Sequence, residues 1–214
     1  MYEKAIEILN LFTKNGYEAY IIGGFVRDHL LGIRNDDIDI ITSAKPEEIK
    51  SLFTIEKDSS FGSLIINYKN SLFEITTFRI ENNYKGRYPD VSFTNNLKDD
   101  LVRRDFTINA ICLDKDGRIV DLMNGFNDLN DKLIRCIGNI EIKLKEDPLR
   151  ILRAIRFAGK LNFEIETNLK SFIKNNGYLL EKLSINKTKQ ELDKMEKNGL
   201  KILEELDLNR YIRR

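Results

Sequence analysis

The stretch GGFVRDHLLGIRNDDIDI, Gly23–Ile40, decides how the rest of the chain is read. A diglycine turn and the pair Arg27-Asp28 stand just ahead of the tight triplet Asp37-Ile38-Asp39. Upstream, EAYIIGG reads as a short buried strand running into the glycine turn, and FVRDHLLG reads as a short helix closed by Gly32. Downstream, DDIDIIT alternates acid and apolar, so a strand would carry Asp37 and Asp39 on one face and Ile38 and Ile40 on the other. Two readings stay open. As plain structure, the glycines supply a turn that needs positive φ and the acids line a wet strand edge, although aspartate is a poor strand former. As chemistry, the turn amides and Arg27 hold phosphates. Two carboxylates about 7 Å apart at their Cα atoms then hold divalent metal between protein and phosphate oxygens.

Outward from this unit the periodicities are simple. EKAIEILNLFTKNGY puts Ile6, Leu9 and Phe12 on one helical stripe and stops at Asn15-Gly16. KPEEIKSLF is a helix with Pro46 near its start, and SLIINYKNSLFEITTFRI is a hairpin turning at Lys69-Asn70-Ser71. ENNYKGRYPDVSFT, with Gly86 and Pro89, is predicted to be a long flexible loop. From EDPLRILRAIRFAGKL onward the pattern is helical to the end, with Leu149, Leu152, Ile155 and Ala158 as the apolar stripe. The chain is therefore expected to be an α+β protein, with a mixed sheet-and-helix domain over residues 1–138 and an all-helical domain over 139–214.

Composition narrows the chemistry. With 42% hydrophobic and 32% charged residues the chain reads as a soluble globular protein, and no apolar run approaches the roughly 18 residues of a membrane helix. MYEKAIEILNLF lacks the basic start of a signal peptide. Two cysteines, Cys112 and Cys136, cannot staple a secreted scaffold of this size, so a reducing cytoplasm is expected. A single histidine, His29, leaves no His-based metal site or triad, so metal chemistry must use carboxylates. The net charge is +1, but residues 141–214 hold 17 Lys+Arg against 12 Asp+Glu, whereas residues 1–140 hold 18 against 22. A basic C-terminal third is compatible with a phosphate-backbone partner and equally with a solvated Lys-rich helical surface.

Two more motifs carry chemistry. LVRRDFTINA, Leu101–Ala110, sets Arg103 and Arg104 beside Asp105. Arg104 can face a triphosphate and Asn109 a sugar hydroxyl, or the arginines simply cap a helix that buries Phe106 and Ile108. In EDPLRILRAIRF, Asp147, Arg150, Arg153 and Arg156 recur every third residue. Arg150 beside Asp147 offers donors next to an acceptor, which matches the amine and ring nitrogen of cytosine and adenine and mismatches uracil and guanine. Alternatively Asp147 is an N-cap with Pro148 at the first helical position, and the arginines are a solvated face.

Taken together, GGFVRDHLLG, DDIDI, RRDFTINA and EDPLRILRAIRFAGKLNFEIE, in this order and spacing, resemble the class II tRNA nucleotidyltransferase and poly(A) polymerase family. The likeness covers roughly Ala19 to Glu166, and GSLIINYKNSLFEITTFRIENNYKGRYPDVSF looks like its CCA-adding branch. The resemblance implies a polymerase-β-like nucleotidyltransferase head followed by a helical neck, the catalytic and nucleotide-selecting parts. It implies template-independent addition of C and A from CTP and ATP to the 3′ end of tRNA by two-metal-ion chemistry with Mg2+. Asp37 and Asp39 would then bind the metals, with Glu74 as a third carboxylate. Gly24, Arg27 and Arg104 would contact the nucleotide. Asp147 and Arg150 would read its base, assisted by Arg153 and Arg156, and Glu81 to Asp90 would form a loop active in switching from C to A.

Two departures from the family pattern set expectations. LSINKTKQEL keeps Ser184, Glu191 and Leu192 but has Asn186 and Lys187 where relatives carry Glu-Arg, which predicts weaker pairing around Glu191. The chain also reads as head and neck without the body and tail domains that grip tRNA, a grip that a second subunit or domain would supply. The rival readings are a poly(A) polymerase, a C-only or A-only enzyme, and a non-catalytic nucleotide- or RNA-binding remnant. A Rossmann enzyme fails because Gly23-Gly24 lacks G-x-G-x-x-G spacing.

Overall fold

The computed structural model describes residues 1–212, with the side chains of Ser59 and Ser60 left aside. The chain divides into two compact units. One comprises residues 1–83, 89–104 and 109–125; the other comprises 84–88, 105–108 and 126–214. Neither unit is a single stretch of chain, which periodicity could not reveal because it sees only neighbours in sequence.

The first unit is built on a seven-stranded mixed sheet. Its strands are β1 (Ala19–Ile22), β2 (Asp39–Thr42), β3 (Ile55–Ser59), β4 (Ser63–Tyr68), β5 (Ser71–Thr77), β8 (Cys112–Leu113) and β9 (Ile119–Val120), in the order β3-β4-β5-β2-β1-β8-β9. β2 and β5 run parallel at its centre, and β1 pairs antiparallel with β2. α1 (Tyr2–Lys14) buries Ala5, Ile8, Leu9 and Phe12, the one-face spacing of an amphipathic helix, and ends before Gly16 at φ 84°. α2 (Gly24–Leu30) follows the glycine turn, and α3 (Pro46–Leu52) starts on its proline as expected. β4 and β5 join at Lys69-Asn70, both at positive φ (50° and 58°), the geometry of a two-residue turn whose twist matches its strands.

The segment expected to be a loop is ordered. β6 (Arg79–Lys85) and β7 (Tyr88–Phe93) form a two-stranded ribbon joined at Gly86-Arg87, with Gly86 at φ 65°. Its polar composition misled the reading: a ribbon supported by its own backbone pairing can expose side chains and so shows no apolar alternation. After β7, α4 (Leu97–Val102) leads into the RRD motif.

The second unit is chiefly helical: α5 (Gly125–Asn130), α6 (Ile140–Glu146), α7 (Leu149–Leu161), α8 (Thr167–Asn175), α9 (Ile185–Leu192) and α10 (Lys197–Glu205). It also holds a small parallel pair, β10 (Leu133–Ile134) and β11 (Glu164–Ile165), too short for periodicity to register. α7 is the core helix; Leu149, Ile151, Leu152, Ala154, Ile155, Phe157 and Ala158 are buried along it. It meets α10 glycine to glycine: a Cβ on Gly159 would lie 2.3 Å from the backbone nitrogen of Gly199. Backbone cannot yield as a flexible side chain does. Gly159→Ala is therefore expected to destabilise by about 1–3 kcal/mol through overpacking, despite the better helix propensity of alanine. A melting temperature within a degree of wild type would contradict this close approach.

Glu191 does not lose its pairing. It is buried, and its Oε2 accepts from Arg156 Nε at 2.8 Å, while Ser184 caps α9 by accepting from the Lys187 amide. The partner of Glu191 comes from α7 and not from the positions occupied by Asn186 and Lys187, so their substitution leaves the bridge intact. Among the described residues, no helix is long and apolar enough to cross a membrane.

Candidate active site

The sheet of the first unit brings the acids together. Asp39 opens β2 and lies opposite Ile22 on β1 and opposite Glu74 on β5. Because these registers are direct, Asp39 and Glu74 project from the same face of adjacent parallel strands. The turn after β1 lies at the same end. Gly23 sits at φ 83°, where a side chain would be strained, and a Cβ there would stand 3.4 Å from Asp39 Oδ2. Glycine at position 23 is thus required by backbone conformation.

Asp37 departs from the expectation of a shared strand face. β2 begins at Asp39, and Asp37 is exposed in the segment before it. What holds that segment is Asn35, whose Oδ1 accepts from the Asp37 amide at 3.0 Å and whose Nδ2 donates to Asp28 Oδ2 at 2.9 Å. Ile38 is buried beneath it, as alternation requires.

A cleft of about 410 Å³ opens here, lined by Asp39, Glu74 and Ser63 together with Arg79, Arg103 and Arg104. Burial, followed by the charges of Glu74 and Asp37, pushes the Asp39 carboxyl up to about 6, with Arg104 opposing. Crowded carboxylates of this kind are what a divalent cation relieves, and magnesium needs only one or two of them when phosphate oxygens complete its shell. The residues present fit such an ion. Glu74 has a commitment of its own, accepting a hydrogen bond from Ser63 Oγ. Among the described residues no three acidic, His or Cys side chains close into one metal cage.

Arg27 and Arg104 differ in what they face. Arg104 lines the cleft and is held by Asp100 at 3.1 Å. Arg27 is only 3% exposed; its guanidinium donates to Asp28 Oδ1 through Nε at 2.8 Å and Nη2 at 2.6 Å, and to Asn109 Oδ1 through Nη1 at 2.7 Å. Asn109, read as a sugar contact, is thereby an internal acceptor. Gly24 packs on the same network, where a Cβ would lie 3.7 Å from Arg27 Nη2 and 3.6 Å from Asn35 Nδ2. The chain Asn109–Arg27–Asp28–Asn35 thus runs to the backbone of Asp37.

In the second unit the stripe of α7 is anchored residue by residue. Asp147 Oδ1 accepts from the Leu149 amide at 3.1 Å, the helix-start contact expected of it, although the helix proper begins at Leu149. The same carboxylate pairs with Arg87, with Nη2 at 3.2 Å from Oδ2. Cap and ion pair coexist because a carboxylate has lone pairs for both. Arg150 Nη1 donates to the Lys143 carbonyl at 3.0 Å and stands 3.8 Å from Glu146 Oε2. Arg153 Nε meets Asp105 Oδ2 at 2.6 Å, and although burial opposes its charge, Asp105 holds that guanidinium above its ordinary pKa. Arg156 pairs with Glu191 and lies over the Phe157 ring at 4.3 Å from its centre. The arginines are therefore no solvated face.

Sequence reasoning missed Arg79 and Asp100, and it named Glu81 and Arg87 only as part of the loop from Glu81 to Asp90. Asp100 had a readable signal, since it lies three and four residues before Arg103 and Arg104, the spacing of helical ion pairs. Arg87 had none, because its partner is distant in sequence.

Comparison with known proteins shows what the chain as a whole is similar to. The chain is 42% identical over 219 residues to the CCA-adding enzyme of Ligilactobacillus salivarius, a match covering 98% of this chain and 54% of that one. To the CCA-adding enzyme of Lactobacillus helveticus it is 45% identical over 196 residues, covering 90% and 49%. The chain thus spans about half the length of the curated relatives it matches. Its fold superposes on the crystal structure of the Bacillus stearothermophilus CCA-adding enzyme in complex with CTP with a TM-score of 0.90 at 35% identity, covering 99% of this chain and 53% of the other. The Thermotoga maritima CCA-adding enzyme complexed with tRNA-CCA matches at a TM-score of 0.78 and 29% identity, over 97% and 51%. Residues 19–135 match the Poly A polymerase head domain family, the part of the chain that carries the carboxylate cleft and the RRD motif, and the chain belongs to that family.

Proposed function

We propose that this chain carries the nucleotide-handling and catalytic part of a CCA-adding enzyme, transferring nucleotidyl groups from CTP and ATP to the 3′ end of tRNA with magnesium. The observation that supports it most is Asp39 in register with Glu74, beside the Gly23 turn and in a cleft that Arg104 also lines. Asp39 and Asp37 are the groups to hold magnesium, which when bound supplies Lewis-acid activation of the RNA 3′-hydroxyl and charge neutralisation at the leaving pyrophosphate. Arg104 orients the triphosphate by charge-assisted hydrogen bonds. Asp147 accepts from, and Arg150 donates to, the edge of cytosine or adenine, while Asp105 and Glu191 keep Arg153 and Arg156 in place behind them. Arg27 contributes through the network that ends at Asp37. Both cysteines are buried thiols, which suits the cytoplasm as the place of action.

The test is incorporation by the purified chain on tRNA transcripts ending before CCA, after C and after CC, with labelled CTP or ATP. Two C and one A are expected. A run of A alone would mark a poly(A) polymerase, and addition of one nucleotide type only would mark a specialised enzyme. Binding of CTP without incorporation would place the tRNA grip in a further domain or second subunit. A chain that neither binds CTP nor incorporates it would refute the proposal.

A further inference from the structure

Asp100 is the one acid of the RRD region whose side chain is wholly buried, at 0% exposure. It lies on α4, and both of its oxygens are used. Oδ1 accepts from Arg103 Nε at 2.9 Å and from the Arg79 amide at 3.2 Å, while Oδ2 accepts from Arg104 Nε at 3.3 Å and Nη2 at 3.1 Å. Glu81 completes the cluster, with Oε1 2.9 Å from Arg79 Nε and 3.2 Å from Arg103 Nη1. Three guanidinium groups are thereby packed around two carboxylates. Left alone they would repel: burial lowers the pKa of Arg103, and Arg104 and Arg79 lower it further, while Asp100 opposes them. The cluster matters for its position, because Arg79, Arg103 and Arg104 line the same cleft as Asp39 and Glu74.

We infer that Asp100 is a positioning residue that locks Arg103 and Arg104 into a rigid phosphate-facing wall, and that Arg103, with Arg79, belongs to the polyphosphate site. The role deepens the nucleotidyl-transfer reading above and rests on it. A guanidinium fixed before the ligand arrives loses less freedom on binding it, and a cleft lined by both arginines and carboxylates suits a polyphosphate carrying a divalent cation.

The test uses Asp100→Asn, which keeps shape and removes charge, and Arg103→Lys, which keeps charge and removes the fork. Each is titrated with tripolyphosphate in magnesium buffer, and steady-state CTP incorporation is measured alongside. Both variants are expected to bind tripolyphosphate about tenfold more weakly and to raise KM for CTP about tenfold with kcat little changed, the effect of one charge-assisted hydrogen bond. A merely structural role would lower kcat or the amount of folded protein and leave KM alone. If Asp100→Asn does not fold, Arg103→Lys carries the test. Wild-type affinity for tripolyphosphate in the folded variants would overturn the role of Asp100 and Arg103, as would a wild-type chain that binds no tripolyphosphate. A wild-type chain that binds tripolyphosphate but incorporates no CTP would fail the nucleotidyl-transfer reading alone; weaker binding in the variants would still support the wall.

Discussion

Asp39→Asn is expected to abolish the nucleotidyl transfer proposed above and at the same time to make the folded chain more stable at pH 7. The loss of activity, at least about 10³-fold, follows from removing the charge of a carboxylate proposed above to hold metal while keeping its shape. The gain in stability follows from the pKa. Burial and the charges of Glu74 and Asp37 raise the Asp39 carboxyl from 3.8 to about 6. Between those values the folded chain binds more protons than the unfolded chain, so stability falls as pH rises through this window. Below pH 3.8 both states are protonated and the penalty vanishes; above pH 6 it is fully present, on the order of 2–3 kcal/mol. Asparagine never ionises and escapes it. Urea unfolding of both proteins at pH 7 and near pH 4 measures this directly, with the advantage of the variant shrinking at the lower pH. Magnesium should raise the midpoint of the wild type and not that of the variant. Equal stability at pH 7 would mean that the carboxylates are not crowded as described.

Arg27→Ala costs about 3–5 kcal/mol of stability. The substitution strips Asp28, itself 2% exposed, of a guanidinium 2.6 Å away and leaves a buried charge without its partner. The melting temperature should fall by roughly 10 °C for a chain of this size. The double variant Arg27→Met, Asp28→Leu removes both charges and should recover most of the loss, because well-packed apolar groups can replace a buried ion pair. Its CTP affinity then measures what Arg27 contributes to the nucleotide apart from holding the fold. Full affinity in the double variant would make the arginine purely structural. Melting of Arg27→Ala within a few degrees of wild type would show that the pair is not desolvated.

The two substitutions act on one short segment, and they show where sequence and structure divide. The Gly23–Ile40 unit was legible because its constraints are local. A strand followed by a glycine at positive φ and a helix stopped at Gly32 each leave a mark within a few residues. Alternation likewise marked Ile38 and Ile40 as buried. The hairpin at Lys69-Asn70 and the apolar stripe of α7 were legible for the same reason. The β6–β7 ribbon was not, since exposed pairing needs no apolar period.

By itself the sequence determined which residue types are available: no histidine cluster, paired aspartates, an RRD segment and arginines at helical intervals. Only the tertiary structure decided what each one does. Arg27 and Arg104 look alike in sequence, yet one is sealed against Asp28 and Asn109 while the other faces a cleft. Asp147 and Asp39 are both acids beside a helix or turn; one is bridged to Arg87 and the other is left among like charges. The physical reason is that the cost of a charge depends on its burial and on partners up to 82 residues away in the chain, as from Arg27 to Asn109. Local sequence patterns record backbone geometry and amphipathic faces, and they carry no information about such distant pairings.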